Sequence, residues 1–203
     1  MRLDSKRALD LSVGLFALVA AAPILVGVGM AMRLSGDRGP FLYRARRVGA
    51  WGKIISVLKV RTMTDGVAGP SLTVSRDPRV TRLGWVLRRY KIDELPQLVN
   101  VVRGEMSLVG PRPEDPRFVD LSDPLRRRVL AAKPGITGPA QVEFHAESDL
   151  LGDLDPEARY RTEILPAKLR LDAEYLDHRT TWSDIRILAL TIATIFRRRG
   201  SGD

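Results

Sequence analysis

Asp93 and Glu94 stand side by side in RRYKIDELPQL, residues 88–98, just after Arg88, Arg89 and Lys91 and just before Leu95 and Pro96. An isolated Asp-Glu pair most often caps a helix, its carboxylates accepting backbone N–H bonds. The surroundings here support a second reading. Proline suits the first turn of a helix, which puts the pair at a helix N-terminus. That terminus and the adjacent cations both favour ionised carboxylates, so neither acid is a natural proton donor at neutral pH. An ionised carboxylate suits attack on phosphorus, forming an acyl phosphate, and a neighbouring carboxylate suits Mg²⁺ beside a diphosphate under cleavage. Arg88 and Arg112 are candidates for bidentate contacts to phosphate oxygens, with Lys59 as a point charge.

Other chemistries have little support. The chain has no cysteine, which removes disulfides, a thiolate nucleophile and Cys-based metal sites, and fits a reducing compartment. His145 and His178 are the only histidines; neither stands at zinc-site spacing from acids, and both suit structural roles. No Walker-type glycine loop occurs. The 203 residues suffice for one functional unit with a real core. Lys and Arg number 33 against 24 acids, a net charge of +9 dispersed through the chain rather than gathered in a tail. That excess implies an anionic partner: nucleic acid, an anionic membrane surface or a phosphorylated substrate.

The elements that must position these residues begin with an uncharged run of 22 residues, Leu11 to Met32, long enough to cross a bilayer as a helix. A secretory signal is a second reading, since Arg2, Lys6 and Arg7 precede the run and Ala20, Ala21 and Ala22 lie within it. Pro23 at mid-run removes a backbone donor and bends a helix. The half before it, Leu11 to Ala22, rises only about 18 Å against a hydrocarbon core of roughly 30 Å. Cations flank both ends, with Arg33 and Arg38 following the run. A bent helix that enters and leaves on the cytoplasmic side satisfies the positive-inside bias at both flanks, whereas a straight span satisfies one. Both a re-entrant helix broken at Ala22 and Pro23 and a plain span fit these residues.

Downstream, Phe41–Val48, the turn Gly49–Gly52 and Ile54–Met63 form the pattern of a β-hairpin, with Lys59 and Arg61 on one face of the second strand and Leu58 and Val60 on the other. Val67 to Pro78 is loop-like. Val80, Leu83, Leu87 and Tyr90 recur at helical spacing, and Leu95, Leu98, Val99 and Val102 give a second stripe after the acid pair. Ser107–Pro116 is rigid and extended, with Arg112 between two prolines, and Lys133–Gln141 is a Gly/Pro loop. Asp155 to Asp177 is mostly helical with a break at Pro166. A last helix, opened by Ser183 or Asp184, presents Ile185, Leu188, Ala189, Ile192, Ile195 and Phe196 on one face before Arg197, Arg198 and Arg199. With Trp182 beside it, this helix suits either an anionic membrane surface or an ordinary core. The fold class is α+β, mostly helical, with residues 1–36 as membrane helix and 37–203 as catalytic domain.

Together, the proline-broken N-terminal segment, KVRTM at Lys59–Met63, TRLGWVLRRYKIDELPQLVNVVRGEMSLVGPRP at Thr81–Pro113 and KPGITG at Lys133–Gly138 resemble the bacterial sugar transferases, the monotopic polyprenyl-phosphate phosphoglycosyltransferases, in their smallest, core-only form. The resemblance implies transfer of a sugar 1-phosphate from a UDP-sugar to polyprenyl (undecaprenyl) phosphate, releasing UMP, at the cytoplasmic face of the bacterial plasma membrane. It implies a phosphosugar intermediate on Asp93, Mg²⁺ at Glu94, basic site positions at Lys59, Arg88 and Arg112, and a re-entrant helix that never crosses. Nucleic acid is not an expected partner, while downstream glycosyltransferases are compatible with this role. Arg61, Gln141 and Asp155 are further site candidates. The chain departs from the family pattern in carrying Ala22 before Pro23 where Ser-Pro is usual, KVRTM for KFRTM and PGITGP for PGITGL. The rival reading is a non-catalytic basic module, tethered by a simple span, that binds nucleic acid or anionic lipid; it would tolerate Asp93→Asn.

Overall fold

The long uncharged run folds as a helix, yet the residues around it decide how it sits. The computed structural model describes residues 5–36, 38–64, 66, 67, 69, 72, 73, 77–151 and 155–197, so Arg2, Arg198, Arg199 and parts of the expected 67–78 loop lie outside the described residues. Helix α1 runs from Ser5 to Leu34, about 45 Å at 1.5 Å per residue. Its backbone stays helical through Ala22 and Pro23, where the sequence predicts a break. A proline removes one ladder bond, and packing from outside holds the turns on both sides of it.

That packing follows a stripe. Asp10, Gly14, Ala21, Val28 and Met32 are buried, with Ala17, Leu18 and Leu25 packed beside them. Steps of three and four residues place them on one face. Leu15, Phe16, Val19, Val26 and Met30 on the remaining surface are exposed, a larger apolar area than water-facing surfaces usually carry. Both ends of α1 touch the rest of the molecule. Near the N-terminus, Lys6 Nζ donates to Val109 O at 3.0 Å and to Asp184 Oδ2 at 2.6 Å. Arg7 donates to Val101 O at 2.7 Å and Val102 O at 2.8 Å. Asp10 Oδ1 accepts from Ser107 Oγ and from Leu108 N, each at 3.0 Å. At the other end Val28 and Met32 cluster with Val60 and Leu87.

The predicted hairpin forms from β1, Leu42–Val48, and β2, Ile54–Val60, antiparallel with Leu42 opposite Val60 and Val48 opposite Ile54. Beyond Val60 the chain leaves the ladder, earlier than the Met63 boundary the sequence suggests. Helix α2, Arg82–Arg89, is capped by Thr81, whose hydroxyl accepts from Gly84 N. Lys91 turns the chain through the left-handed region at φ 57° into a 3₁₀ turn, Ile92–Glu94, and helix α3 follows over Gln97–Arg103 until Gly104, at φ 83°, stops it. The face of α3 that is buried comprises Gln97, Leu98, Asn100 and Val101, rotated from the purely apolar stripe. Asn100 explains the rotation. Its Oδ1 accepts from Leu58 N at 3.0 Å and its Nδ2 donates to Ser56 O at 2.9 Å, so it fastens α3 to β2 through backbone groups.

A second, parallel sheet pairs β3, Ser107–Val109, with β4, Gly135–Thr137. The sequence reading places extended chain and a Gly/Pro loop there. Both segments are three-residue strands, too short for side-chain alternation to reveal. Their backbones approach so closely that a Cβ on Gly135 would sit 2.1 Å from Gly110 N. The remaining elements are helical: α4 (Pro124–Leu130), α5 (Pro139–Glu143), α6 (Glu147–Leu151), α7 (Pro156–Arg159), α8 (Leu165–His178) and α9 (Thr181–Arg197). A π-helical turn, Tyr160–Ile164, carries α7 into α8, with Pro166 in the first turn of α8 rather than at a break. Thr180 and Ser183 cap α9 reciprocally. Its buried face is Asp184 and Ile187, while Trp182, Ile185, Leu190 and Ile192 are exposed, so most of the predicted apolar face looks outward. The main core joins α1, both sheets, α3, α8 and α9 through Ala21, Val57, Val101, Leu108, Tyr175 and Ile187. The fold is α+β and mostly helical.

Replacing Asn100 by Leu leaves the N–H of buried Leu58 without its partner and removes the bond to Ser56 O. The expected cost is about 2–4 kcal/mol, read as a lowered melting temperature in detergent or nanodiscs; an unchanged melting curve would contradict the fastening role.

Candidate active site

The adjacent acids occupy one 3₁₀ turn but face different surroundings. Glu94 Oε1 accepts from Lys59 Nζ at 2.9 Å and lies 3.5 Å from Arg112 Nη2. Lys59 reaches it because strand alternation turns Lys59 away from the buried Leu58 and Val60. Arg112 reaches it from the stiff segment that follows β3. Asp93 is only 6% exposed, and its Oδ1 has no hydrogen-bond partner among the protein atoms. Arg88 Nε donates to Thr62 Oγ1 at 2.8 Å, which orients its guanidinium at the end of α2. The left-handed Lys91 is a strained joint of the kind found at functional sites, and it brings a fourth cation to the dyad.

Burial and charge split the two acids. Burial and the Glu94 charge push the Asp93 carboxyl up, against the pull of Lys59, Lys91 and Arg88. Burial acts on Glu94 in the same sense but is overcome by Lys59, Lys91 and Arg112, which hold it well below the usual carboxylate range. Lys59 is itself lowered, because burial outweighs its attraction to Glu94. Burial lowers Arg88. For Arg112 burial also acts downward, but Glu94, Glu147, Glu114 and Tyr160 outweigh it and raise the guanidinium. The sequence reading has both acids equally ionised, because it contains the cations but not the burial. Glu94 is a fixed anion clamped by cations. Asp93 is the more basic oxygen, with an unshared acceptor, and a more basic carboxylate is a stronger nucleophile once ionised.

The structure brings Lys59, Arg88 and Arg112 around Asp93 and Glu94. Arg61, past the end of β2, turns to the carbonyl oxygens of Pro40 at 2.7 Å and Met63 at 3.1 Å. Asp155 is exposed and caps α7, accepting from Ala158 N at 3.0 Å. Gln141 lies on α5 with both amide atoms buried and without protein partners. Ala22 and Pro23 are exposed on α1. His145 Nδ1 lies 3.2 Å from the carbonyl oxygen of nearby Val142, a local structural role.

Sequence reasoning misses a second polar network behind Arg112. Tyr160 donates its hydroxyl to Glu114 Oε2 at 2.7 Å, and Lys168 donates to Tyr160 Oη at 3.2 Å while pairing with Glu147. Lys168 and Asp172 are both buried on α8. Their spacing of four residues, interleaved with the buried Leu169 and Ala173, is the signal: charges on an apolar helix face need partners.

Among the described residues no three His, Asp or Glu side chains gather to hold a metal. An all-protein cage is not what Mg²⁺ requires, since it commonly takes one or two carboxylates and completes its shell with substrate phosphates and water. Adjacent carboxylates, one with a buried unshared oxygen, fit that donor set.

The sequence model of the family described as bacterial sugar transferase matches residues 1–198. Undecaprenyl-phosphate glucose phosphotransferase of Komagataeibacter xylinus is 39% identical over 196 residues, 92% of this chain and 35% of that protein. UDP-glucose:undecaprenyl-phosphate glucose-1-phosphate transferase of Caulobacter vibrioides is 35% identical over 195 residues, 94% of this chain and 69% of that protein. Exopolysaccharide production protein PSS of Rhizobium leguminosarum bv. phaseoli is 37% identical over 208 residues, 98% of each chain. This chain thus spans about a third of the first relative and nearly all of the last. With the match running over almost its whole length, the chain belongs to the bacterial sugar transferase family.

Proposed function

We propose that the protein transfers a sugar 1-phosphate from a UDP-sugar to polyprenyl phosphate, in two displacements at Asp93. The observation that carries this reading is the division within the dyad: a buried carboxylate oxygen without a partner at Asp93, beside a Glu94 neutralised by Lys59 and Arg112. In the first displacement an Asp93 oxygen forms a bond to the sugar-bearing phosphorus. The bond from that phosphorus to the bridging oxygen breaks, and UMP leaves with the electron pair. In the second, a phosphate oxygen of the polyprenyl acceptor attacks the same phosphorus, the Asp93–phosphorus bond breaks, and the carboxylate is restored. Arg88, Arg112 and Lys59 hold phosphate oxygens in place. Glu94, with Asp93, would hold Mg²⁺, which when bound supplies charge neutralisation to the diphosphate under cleavage and to the UMP that leaves.

The lipid side of the molecule supports the acceptor. A groove of about 470 Å³ along the C-terminal part of α1 is lined by Val26, Gly29, Met30, Leu34 and Phe41. Next to it a cleft of about 450 Å³ includes Arg38, Arg61 and Arg82. An apolar channel beside cations suits an isoprenoid phosphate. Because one body holds both ends of α1, a straight crossing would carry part of that body through the bilayer. A helix that enters and returns on the cytoplasmic face avoids this. The outward apolar face of α9 then rests on the same leaflet. Glycosyltransferases that extend the lipid-linked sugar are the natural downstream partners.

Incubation of purified protein with Mg²⁺ and a panel of UDP-sugars, without acceptor, should leave a phosphosugar on Asp93, detected by mass spectrometry of the intact protein and its peptides. Asp93→Asn should abolish the adduct and lower turnover on the order of a thousandfold or more. Unchanged turnover in that variant would overturn the mechanism and favour a non-catalytic binding module.

The same displacement requires ionised Asp93, so adduct formation should rise with pH through a limb above the ordinary carboxylate range. Lys59 lowers Asp93. Lys59→Ala should therefore move this limb to higher pH, and a limb that stays in place or moves down would contradict the electrostatic role given to Lys59.

A further inference from the structure

Among the described residues, four side-chain atoms are buried without a protein hydrogen-bond partner: Asp93 Oδ1, Gln141 Nε2, Gln141 Oε1 and Asp172 Oδ1. Buried polar groups in folded proteins are nearly always paired, and an exception calls for a physical cause. Asp93 is accounted for as the nucleophile. The other three atoms belong to two neighbouring residues. Helix α5 carries Gln141, α8 carries Asp172, and the backbone of Ala140 bonds the Asp172 carboxylate. The Asp172 carboxylate is thus bonded to the backbone of the residue that precedes Gln141, which brings α8 against the start of α5 where the carboxamide lies.

Their place relative to the phosphate site follows from the parallel sheet. Strands β3 and β4 run the same way, so the segments leaving them emerge together, Gly110–Pro111–Arg112 from one and Gly138–Pro139–Ala140–Gln141 from the other. Gly110 N donates to Thr137 O at 2.9 Å. A Cβ on Gly138 would lie 2.3 Å from Gly110 O and 2.8 Å from Gln141 Oε1. Any side chain at Gly138 would displace either the Gly110 backbone or the Gln141 amide. The carboxamide is therefore set over the Gly110–Gly138 contact, two residues before Arg112, whose guanidinium reaches Glu94. Ligand sites in sheets of parallel strands favour this carboxyl end.

We infer that Gln141 and Asp172 form a hydroxyl-binding subsite that takes a vicinal diol of the nucleotide-sugar donor, an inference that rests on the UDP-sugar reading above. The inventory matches the chemistry. Each hydroxyl of a diol can donate one bond and accept others, and Gln141 offers donors and an acceptor in one plane while Asp172 adds an acceptor. Burial and the Glu114 charge push Asp172 up to about 7, against Lys168, the Ala140 N–H and Arg126. Near neutral pH such a carboxyl can accept a bond when ionised and donate one when protonated. The network of Glu114, Tyr160 and Lys168 fixes the wall behind it. A donor of this class carries two such diols, one on the ribose and one on the hexose.

Binding to the full chain in nanodiscs with Mg²⁺ separates the sources. The probes are UMP, 2′-deoxy-UMP and a UDP-hexose that forms the Asp93 adduct, with wild type, Gln141→Ala, Gln141→Asn and Asp172→Asn compared and folding checked by melting temperature. If the ribose occupies the subsite, wild type binds UMP about tenfold or more better than 2′-deoxy-UMP, and Gln141→Ala erases that preference. If the hexose occupies it, Gln141→Ala leaves UMP binding unchanged and weakens the UDP-hexose about tenfold or more. Either result supports the subsite. A folded Gln141→Ala variant with wild-type binding of all three probes would overturn it and leave the Asp93 chemistry intact. A wild type that forms no adduct and binds no probe would overturn both.

Asp172 supplies a readout on stability. A folded value near 7 against an ordinary 3.8 means no penalty below the unfolded value, a penalty that grows as pH rises between the two, and its full size above pH 7. Asp172→Asn should stabilise the protein at pH 8, with the gain fading on acidification through that window, while the diol discrimination falls. A variant that is destabilised at pH 8 would remove Asp172 from the subsite.

Discussion

One buried carboxylate organises the site. Glu94 is held by Lys59 from β2 and by Arg112 from the segment after β3. These three residues come from distant parts of the chain, and each is substantially withdrawn from water. An ion taken out of water is costly unless well paired, so the three segments cannot drift apart without leaving a buried charge unmatched. That requirement fixes the hairpin, the 3₁₀ turn and the β3 exit relative to one another. Asp93 inherits its position from the same constraint, because it shares the turn with Glu94, and no protein group bonds its Oδ1.

The constraint reaches the membrane helix. The strand that delivers Arg112 is bonded to α1 at three consecutive residues: Ser107 and Leu108 to Asp10, and Val109 to Lys6. Arg7 meanwhile supplies donors to the carbonyls of Val101 and Val102 near the end of α3, where a cation is favourable. The first two turns of α1 therefore do more than mark the start of an apolar segment. They are part of the support for the dyad's partners, and Asp184, which receives Lys6 and the Tyr175 hydroxyl, ties the same turns to α9. The apolar helix and the geometry around the dyad share one set of polar contacts.

Local chemistry made some of this legible in the sequence and concealed the rest. The hairpin, α2 and α3 were readable because each has apolar periodicity and a clear stop, such as Gly104. The dyad and its cations were readable because Lys59 lies in KVRTM and Arg88, Asp93, Glu94 and Arg112 lie within the single segment Thr81–Pro113. The parallel strands were not, since three residues give no period and the glycines that allow close approach look like loop formers. Asn100 defeated the stripe assignment of α3: a polar side chain is buried because backbone groups on β2 need it. Lys168 and Asp172 share one face of α8, but Glu114 joins them only through tertiary packing, and nothing near it in the chain announces the contact.

Adjacent residues of nearly identical chemistry acquire different roles here through environment alone. Asp93 and Glu94 have the same functional group and share a backbone turn, so intrinsic acidity cannot separate them. Cations at hydrogen-bond distance settle Glu94 as a permanent anion, which in turn raises its neighbour: like charges so close disfavour a second ionisation. Burial adds to the effect on Asp93, and the more distant Arg88, Lys91 and Lys59 limit it. Too little opposition would leave Asp93 protonated and inert, and too much would make it a weak base and a poor nucleophile. For the two-displacement reaction proposed above, the arrangement of cations is a compromise between binding anionic phosphates and preserving a reactive oxygen. It accounts for a strongly basic protein placing its only bare buried carboxylate oxygen of the dyad where no cation touches it directly.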